Sequence, residues 1–134
     1  MVVTGDFRLP ATLTLPLGIT EPPVLVLVHG SGPNDRDETI GPNKLFRDLA
    51  WGLAMRGIAS LRYEKRTRRY RGKLDNINLT PHEETIDDAI SATHLVARDS
   101  RFDGKHVVVA GHSLGGSLAP LIAKEASEVD GIII

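Results

Sequence analysis

Short apolar runs alternate with longer stretches of helical periodicity along this chain. Four of the runs are mostly β-branched and lack polar alternation, which is typical of strands buried on both faces of a parallel sheet. These runs are Val24–Val28, 58–61, 107–110 and 132–134. Segment 11–15 instead alternates with period two, which predicts a half-exposed antiparallel strand near one edge of the sheet.

Helical periodicity predicts the first helix around residues 45–53. Leu45, Leu49 and Leu53 recur at the i, i+4, i+8 spacing of one helix face. Asn43 is a candidate N-cap, and Gly57 stands where a helix would end.

Two further helices are predicted downstream. Residues 80–83, Thr-Pro-His-Glu, match a capping box with proline at the first helical position, and this helix should run to about residue 99. Another should begin at Leu114, with Pro120 kinking or shortening it. Its predicted buried residues are Leu118, Leu121 and Ile122, and those of the helix before it are Ile86, Ala89, Ile90, Thr93 and Val96. Strands alternating with helices predict an α/β fold, with a mostly parallel sheet and helices on both faces.

Composition narrows the class of protein. The 134 residues include 16 Lys and Arg against 17 Asp and Glu, and 41% are hydrophobic, which indicates a single globular domain. A net charge of −1 argues against nucleic acid or an anionic membrane surface as a partner. The longest aliphatic run is too short to span a bilayer and no signal peptide is evident, so the expected location is cytoplasmic. Without cysteine, a disulfide framework, a thiolate zinc site and a cysteine nucleophile are excluded.

The strongest chemical motif is Gly-His-Ser-Leu-Gly at 111–115. It follows a predicted strand and precedes a predicted helix, which is the context of a nucleophile elbow. Such a turn holds its serine in a strained conformation, and the close strand and helix require Gly111 and Gly115. Ser113 is therefore the candidate nucleophile. The alternative is a glycine-rich turn with a capping serine.

A second motif, His-Gly-Ser-Gly-Pro at 29–33, directly follows Val24–Val28. An oxyanion hole needs one N–H from the residue after the nucleophile and one from the loop at this position. The candidate donors are the amides of Leu114 and Ser31, and Gly30 and Gly32 let the backbone approach a substrate. His29 is interpreted as a loop-bracing residue. The alternative is an ordinary strand-to-helix turn.

These stretches, together with Leu-Arg-Tyr-Glu-Lys-Arg at 61–66, resemble the α/β-hydrolase superfamily. Within it they are most similar to bacterial serine carboxylesterases of the EstD and dienelactone-hydrolase-like types. The resemblance implies hydrolysis of short to medium acyl esters without metal or organic cofactor. Glu64 stands where similar sequences more often carry aspartate, a difference that we assign to loop bracing.

The family's triad follows the chain order serine, acid, histidine. No histidine follows Ser113, and the acids after it, Glu125, Glu128 and Asp130, lie too early to be the family's acid. We therefore expect this chain to be the N-terminal part of one α/β-hydrolase domain that stops at about its sixth strand and is nearly inert alone. We expect an open sheet edge at 132–134, which would pair with the missing C-terminal half or with a second copy of the chain.

Other charged residues have structural interpretations. The basic cluster from Arg62 to Lys73 could contact nucleic acid, but a solvated loop whose arginines brace Asp35, Asp37 or Glu64 fits the neutral chain better. Asp87 and Asp88 are expected to face water at the start of a helix. Asp35 and Asp37, near His29, could mimic a metal-binding cluster, but their spacing matches no metal motif. Polar support of the loop is the better interpretation.

The sequence thus predicts a serine carboxylesterase acting on a small-molecule ester. A thioesterase, acyltransferase or serine peptidase would use the same parts. A non-enzymatic alternative is an inert fragment or pseudoenzyme that acts as an interaction module through its sheet edge.

Overall fold

The computed structural model describes residues 1–74, 78–102, 104 and 106–134. Nine strands occur in the described residues: β1 Val2–Thr4, β2 Phe7–Leu9, β3 Ala11–Thr14, β4 Val24–Val28, β5 Thr39–Ile40, β6 Asn43–Lys44, β7 Ala59–Tyr63, β8 Val107–Gly111 and β9 Gly131–Ile133. The helices there are α1 Leu45–Ala54, α2 Arg66–Arg69, α3 Asp87–Ala97 and α4 Leu114–Glu125, with a π-helical turn at His82–Ile86 leading into α3.

Five strands form the main sheet in the order β3-β7-β4-β8-β9. β3 is antiparallel to β7, as the period-two alternation predicts, and the other pairs are parallel. All five residues of β4 are buried, because this strand lies at the centre of the sheet between two layers of helices. β9 lies at one end of the strand order, and its last residue Ile133 and the following Ile134 are exposed.

The sheet is covered on both faces, as predicted. Val24, Val26 and Val28 point to the face covered by α3 and α4. Leu25 and Leu27 point to the other face, where Phe46 of α1 packs. This alternation along one strand places the β4 C-terminus between the two helical layers.

The prediction for α1 has to be corrected. Leu45 and Leu49 are 40% and 41% exposed, whereas Phe46 and Ala50 form the buried side of the helix. Asn43 lies in β6, and the N-cap is Lys44, whose side chain makes no capping hydrogen bond. The leucine spacing marks a helix, but Phe46 and Ala50 have the same spacing and fit closer against the sheet.

The capping box before α3 is confirmed. The Thr80 N–H donates to Glu83 Oε2 at 2.8 Å, and the Glu83 N–H donates to Thr80 Oγ1 at 3.3 Å. The helix then passes through the π-helical turn and ends at Ala97, slightly before the predicted end.

The prediction that Asp88 faces water is wrong. Its carboxylate is buried and accepts two hydrogen bonds from Arg66, at 2.8 and 2.7 Å. The basic cluster is likewise not a wholly solvated loop, because Arg62, Lys65 and Arg66 are buried. A buried carboxylate requires a buried cation, and folding supplies one from a distant segment.

Helix α4 continues through Pro120 to Glu125, so proline does not shorten it. Ala119 and Ile122 are buried, whereas Leu118 and Leu121 are only partly so. Within the described ranges, no helix combines the length and apolar composition needed to cross a bilayer.

Candidate functional site

Ser113 joins β8 to α4 in a backbone conformation that non-glycine residues rarely adopt. Its φ is 52° and its ψ is −114°, and strain of this kind costs about 1–3 kcal/mol. The residue is exposed, at the C-terminal end of a central parallel strand. The Gly115 N–H donates to the His112 carbonyl at 2.9 Å and the Ser117 N–H to the Ser113 carbonyl at 3.0 Å, so the helix begins immediately. This is the strand, turn and helix geometry of a nucleophile elbow.

Gly111 and Gly115 occupy positions where no side chain fits. A Cβ on Gly111 would overlap the carbonyl group of Gly115, and a Cβ on Gly115 would lie 2.6 Å from the His29 carbonyl oxygen. The same Cβ would overlap the Val28 carbonyl oxygen. The close contact between the first turn of α4 and the end of β4 therefore depends on glycine.

The loop after β4 lies against the serine. A Cβ on Gly30 would lie 3.4 Å from the Ser113 Cβ, which places the 29–33 loop and the elbow in contact. Gly32 has a φ of +89°, a conformation that favours glycine, and Ser31 between the two glycines is exposed. Asn34 Nδ2 donates to the carbonyl oxygens of Gly30 and Ser31, both at 3.1 Å. The structure thus brings together the two segments that carry the predicted oxyanion donors, Ser31 and Leu114.

Sequence reasoning missed Glu38, which ties these two segments to each other. Its Oε1 accepts the Gly30 N–H at 2.9 Å and lies 2.8 Å from His112 Nδ1. The side chain is 2% exposed, its Oε2 has no partner among the described residues, and its φ is +49°. The contact joins the residue before Ser113 to the loop after β4, and which atom donates depends on the tautomer of the His112 ring. No local pattern marks Glu38, since its partners are distant in the sequence.

Lys65 was also missed as a member of the site. Its Nζ donates to the Gly30 carbonyl oxygen at 2.7 Å and to Glu84 Oε1 at 2.6 Å, and its side chain is 2% exposed. A signal was present: Lys65 follows β7 by two residues, and ligands of open α/β sheets bind beyond the carboxyl ends of parallel strands.

Four histidines of the described residues, His29, His82, His94 and His112, contact groups other than the Ser113 hydroxyl. His29 is buried between Phe46 and Tyr63, and burial followed by the charge of Lys65 lowers its pKa to about 3. His94 pairs with Glu128, and His82 with Asp87 and Glu125. No hydrogen bond recorded for the described residues joins a histidine to the Ser113 hydroxyl.

The acids near the loop have supporting contacts. Asp35 accepts the backbone N–H groups of Asp37 and Thr39. Partial burial raises the pKa of Asp35, but the hydrogen bonds from Thr39 and Asp37 and the charge of Arg68 together hold it below the ordinary value. Asp37 pairs with Arg62 and Lys44. No group of three metal-ligating side chains occurs in the described part of the chain.

Glu64 forms ion pairs with Arg36 and Arg68, in keeping with its interpretation as a residue that supports the loop.

The parallel sheet, the strained serine after β8 and the glycine loop after β4 are the features of the α/β-hydrolase fold, and this chain has that fold. Over 126 residues it is 50% identical to Esterase EstD of Thermotoga maritima. The match covers 94% of this chain and 29% of that esterase, so the chain spans less than a third of this relative's length. No protein-family model matches the chain.

Solved structures confirm the fold. A dienelactone hydrolase from Anabaena variabilis superposes with a TM-score of 0.73 at 24% identity, covering 98% of this chain and 58% of that one. Est1E from Butyrivibrio proteoclasticus, solved with ferulic acid bound, also has a TM-score of 0.73, at 17% identity over 98% of this chain and 49% of its own. The resemblance to EstD-type and dienelactone-hydrolase-like proteins that the sequence predicts is therefore confirmed.

Proposed function

We propose that this chain supplies the nucleophile and the oxyanion hole of a serine hydrolase that acts on carboxylic esters of short to medium acyl chains. The observation that carries the proposal is the exposed Ser113 at a φ of 52°, in contact with the Gly30 loop. The similarity to Esterase EstD supports an ester as the substrate class.

The reaction uses the serine and two amides of this chain. The Ser113 Oγ attacks the ester carbonyl carbon, its proton passes to a base, and the carbonyl oxygen becomes an oxyanion. The N–H groups of Ser31 and Leu114 donate to that oxyanion. The C–O bond to the alcohol then breaks, the alcohol leaves with the proton, and water hydrolyses the acyl-serine ester to release the acid.

The base and its orienting acid come from outside residues 1–134 in this proposal. The chain is thus the N-terminal part of one α/β-hydrolase domain, completed by a C-terminal part of the same polypeptide. A second copy of the chain is the alternative partner for the β9 edge, but it would not supply the missing base. No metal or organic cofactor takes part, and a cytoplasmic location remains a prediction of the sequence.

A fluorophosphonate probe tests the proposal, because it reacts only with an activated serine. The full-length protein should be labelled at Ser113, Ser113→Ala should abolish labelling, and chain 1–134 alone should react several orders of magnitude more slowly. Ser117→Ala is the matched control, since Ser117 is exposed one helical turn away, and it should label like the wild type. Ester hydrolysis should fall about 10⁶-fold in Ser113→Ala.

The competing proposal is an interaction module without activity, favoured only by the exposed isoleucines at the β9 edge. Two results together would favour that function: the full-length protein takes up no probe, and it binds a partner that is released by a charged substitution at Ile133.

A further inference from the structure

The backbone carbonyl of Gly30 is held by a buried ammonium group. Lys65 Nζ donates to it at 2.7 Å, and Asn34 Nδ2 adds a second hydrogen bond at 3.1 Å. The charge of Lys65 is balanced by Glu84, whose carboxylate is 2.6 Å away and 25% exposed. A buried charge-assisted hydrogen bond is among the stronger contacts available to a peptide oxygen.

This carbonyl belongs to the same peptide unit as the Ser31 N–H. The unit is planar and trans, so its N–H and C=O point in opposite directions. Fixing the oxygen against Lys65 therefore fixes the direction of the Ser31 N–H. The positive charge also draws electron density toward the oxygen, which makes the N–H a better donor.

We propose that Lys65 is a positioning residue for catalysis, which orients and polarises the Ser31 amide toward the oxyanion formed at Ser113. The inference rests on the function proposed above. Lys65 acts through the peptide and does not touch the substrate.

The other buried basic residues near the site make a useful contrast. Arg62 contacts the side chains of Asp37 and Thr14, and Arg66 contacts those of Asp88 and Phe7. Their contacts with side chains of the fold are those expected of structural ion pairs. Lys65 instead binds the backbone of the loop that lies against the nucleophile.

The test compares Lys65→Met with Glu84→Gln in the full-length protein. Lys65→Met keeps an apolar stem but removes the charge, so kcat for a short-chain p-nitrophenyl ester should fall about 10- to 100-fold with KM nearly unchanged. Affinity for a boronic acid that forms a tetrahedral adduct should fall by a similar factor. Glu84→Gln breaks the ion pair but leaves the hydrogen bond to Gly30, so kcat should stay within about threefold of wild type. Unfolding midpoints of both variants report any structural cost.

The ¹⁵N chemical shift of the Ser31 amide measures polarisation without catalysis. A hydrogen bond to the preceding carbonyl moves this resonance downfield, so it should move upfield in Lys65→Met and stay in place in Glu84→Gln. Lys65→Arg, which keeps the charge, replaces Lys65→Met if the latter does not fold, and should keep the Ser31 shift near that of wild type.

Equal losses of kcat in the two variants, a change in KM alone, or an unmoved Ser31 shift in Lys65→Met would overturn the inference. A displaced Ser31 shift in a folded Lys65→Arg would do the same. If wild-type Ser113 forms no adduct with the boronic acid, the proposed function fails, and the Ser31 shift still decides whether Lys65 polarises this amide.

Discussion

Glu38 Oε1 lies 2.8 Å from His112 Nδ1 although the two residues are 74 positions apart in the chain. The same oxygen accepts the Gly30 N–H, so one carboxylate joins the loop after β4 to the residue before Ser113. Gly30 is thereby held at both polar groups, its N–H by Glu38 and its carbonyl by Lys65. Of the two oxyanion donors proposed above, Ser31 directly follows Gly30, and Leu114 lies two residues after His112.

Removing the Glu38 carboxylate should loosen this connection. Glu38→Ala leaves the Gly30 N–H without its buried acceptor, and we expect the free energy of unfolding to fall by about 1–3 kcal/mol and the Gly30 amide to exchange faster with solvent. Glu38→Gln keeps an acceptor oxygen and should lose less. Urea denaturation and amide hydrogen exchange measure the two effects.

Glu64→Gln is the control for Glu38, because Glu64 pairs with Arg36 and Arg68 instead of with Gly30. It should leave exchange at Gly30 unchanged. Slow Gly30 exchange in Glu38→Ala would show that the loop is held without the carboxylate.

The elbow glycines should tolerate no Cβ. Gly111→Ala and Gly115→Ala place a methyl group inside backbone atoms that cannot move independently, so each should cost about 3 kcal/mol or more. Gly116→Ala should cost less, because its Cβ would lie 3.1 Å from the Gly111 carbonyl oxygen. Gly52→Ala is the control: its nearest neighbour is Arg56 Nη1 at 4.0 Å, and the helix should gain up to about 1 kcal/mol. Thermal and urea unfolding rank the four variants, and equal stability of Gly52→Ala and Gly115→Ala would contradict the packing described here.

The Arg66–Asp88 pair should be sensitive to loss of either partner. The two side chains are 5% and 2% exposed, so Arg66→Met or Asp88→Asn leaves an uncompensated buried group and should cost about 3–5 kcal/mol. The pair Arg47–Asp48 has a similar distance but is 32% and 55% exposed, and Asp48→Asn should change the stability by less than about 1 kcal/mol. Chemical denaturation measures the stability of each single variant and of the double variant Arg66→Met with Asp88→Leu. The double variant should recover part of the stability that the single variants lose.

His29 should make the protein less stable in acid. Its pKa is about 3 in the folded chain against 6.5 when unperturbed, so between these values the unfolded chain binds a proton that the folded chain does not. Above about pH 6.5 the His29 ring is neutral in both states and does not reduce the free energy of unfolding. As the pH falls from 6.5 toward 3, protonation of the unfolded chain lowers the free energy of unfolding progressively. In His29→Gln, the slope of stability against pH should be smaller by up to about 1.4 kcal/mol per pH unit in this window.

Urea denaturation across this window measures that slope, and ring NMR signals of His29 report its protonation directly. Parallel profiles for wild type and His29→Gln would contradict the burial of a neutral ring.

The central strands and the elbow could be predicted from the sequence because their signals are local. Val24–Val28 is short, apolar at every position and rich in β-branched residues, which is typical of a strand covered on both faces. The Gly-x-Ser-x-Gly turn depends on steric limits within five residues, and those limits are visible in the residue types themselves. The capping box at Thr80 and Glu83 is local for the same reason.

The contacts that hold the site together were decided only by the tertiary structure. Glu38 with His112, Lys65 with the Gly30 carbonyl and Arg66 with Asp88 each join segments that are far apart in sequence. The leucine spacing marked α1 but did not show that Leu45 and Leu49 are exposed, and the charge of Asp88 at a helix start predicted contact with water. Both patterns report the polarity of a side chain and not its partner. A charged residue is buried where folding brings an opposite charge or a backbone dipole within hydrogen-bonding distance, and that proximity is a property of the assembled sheet and helices.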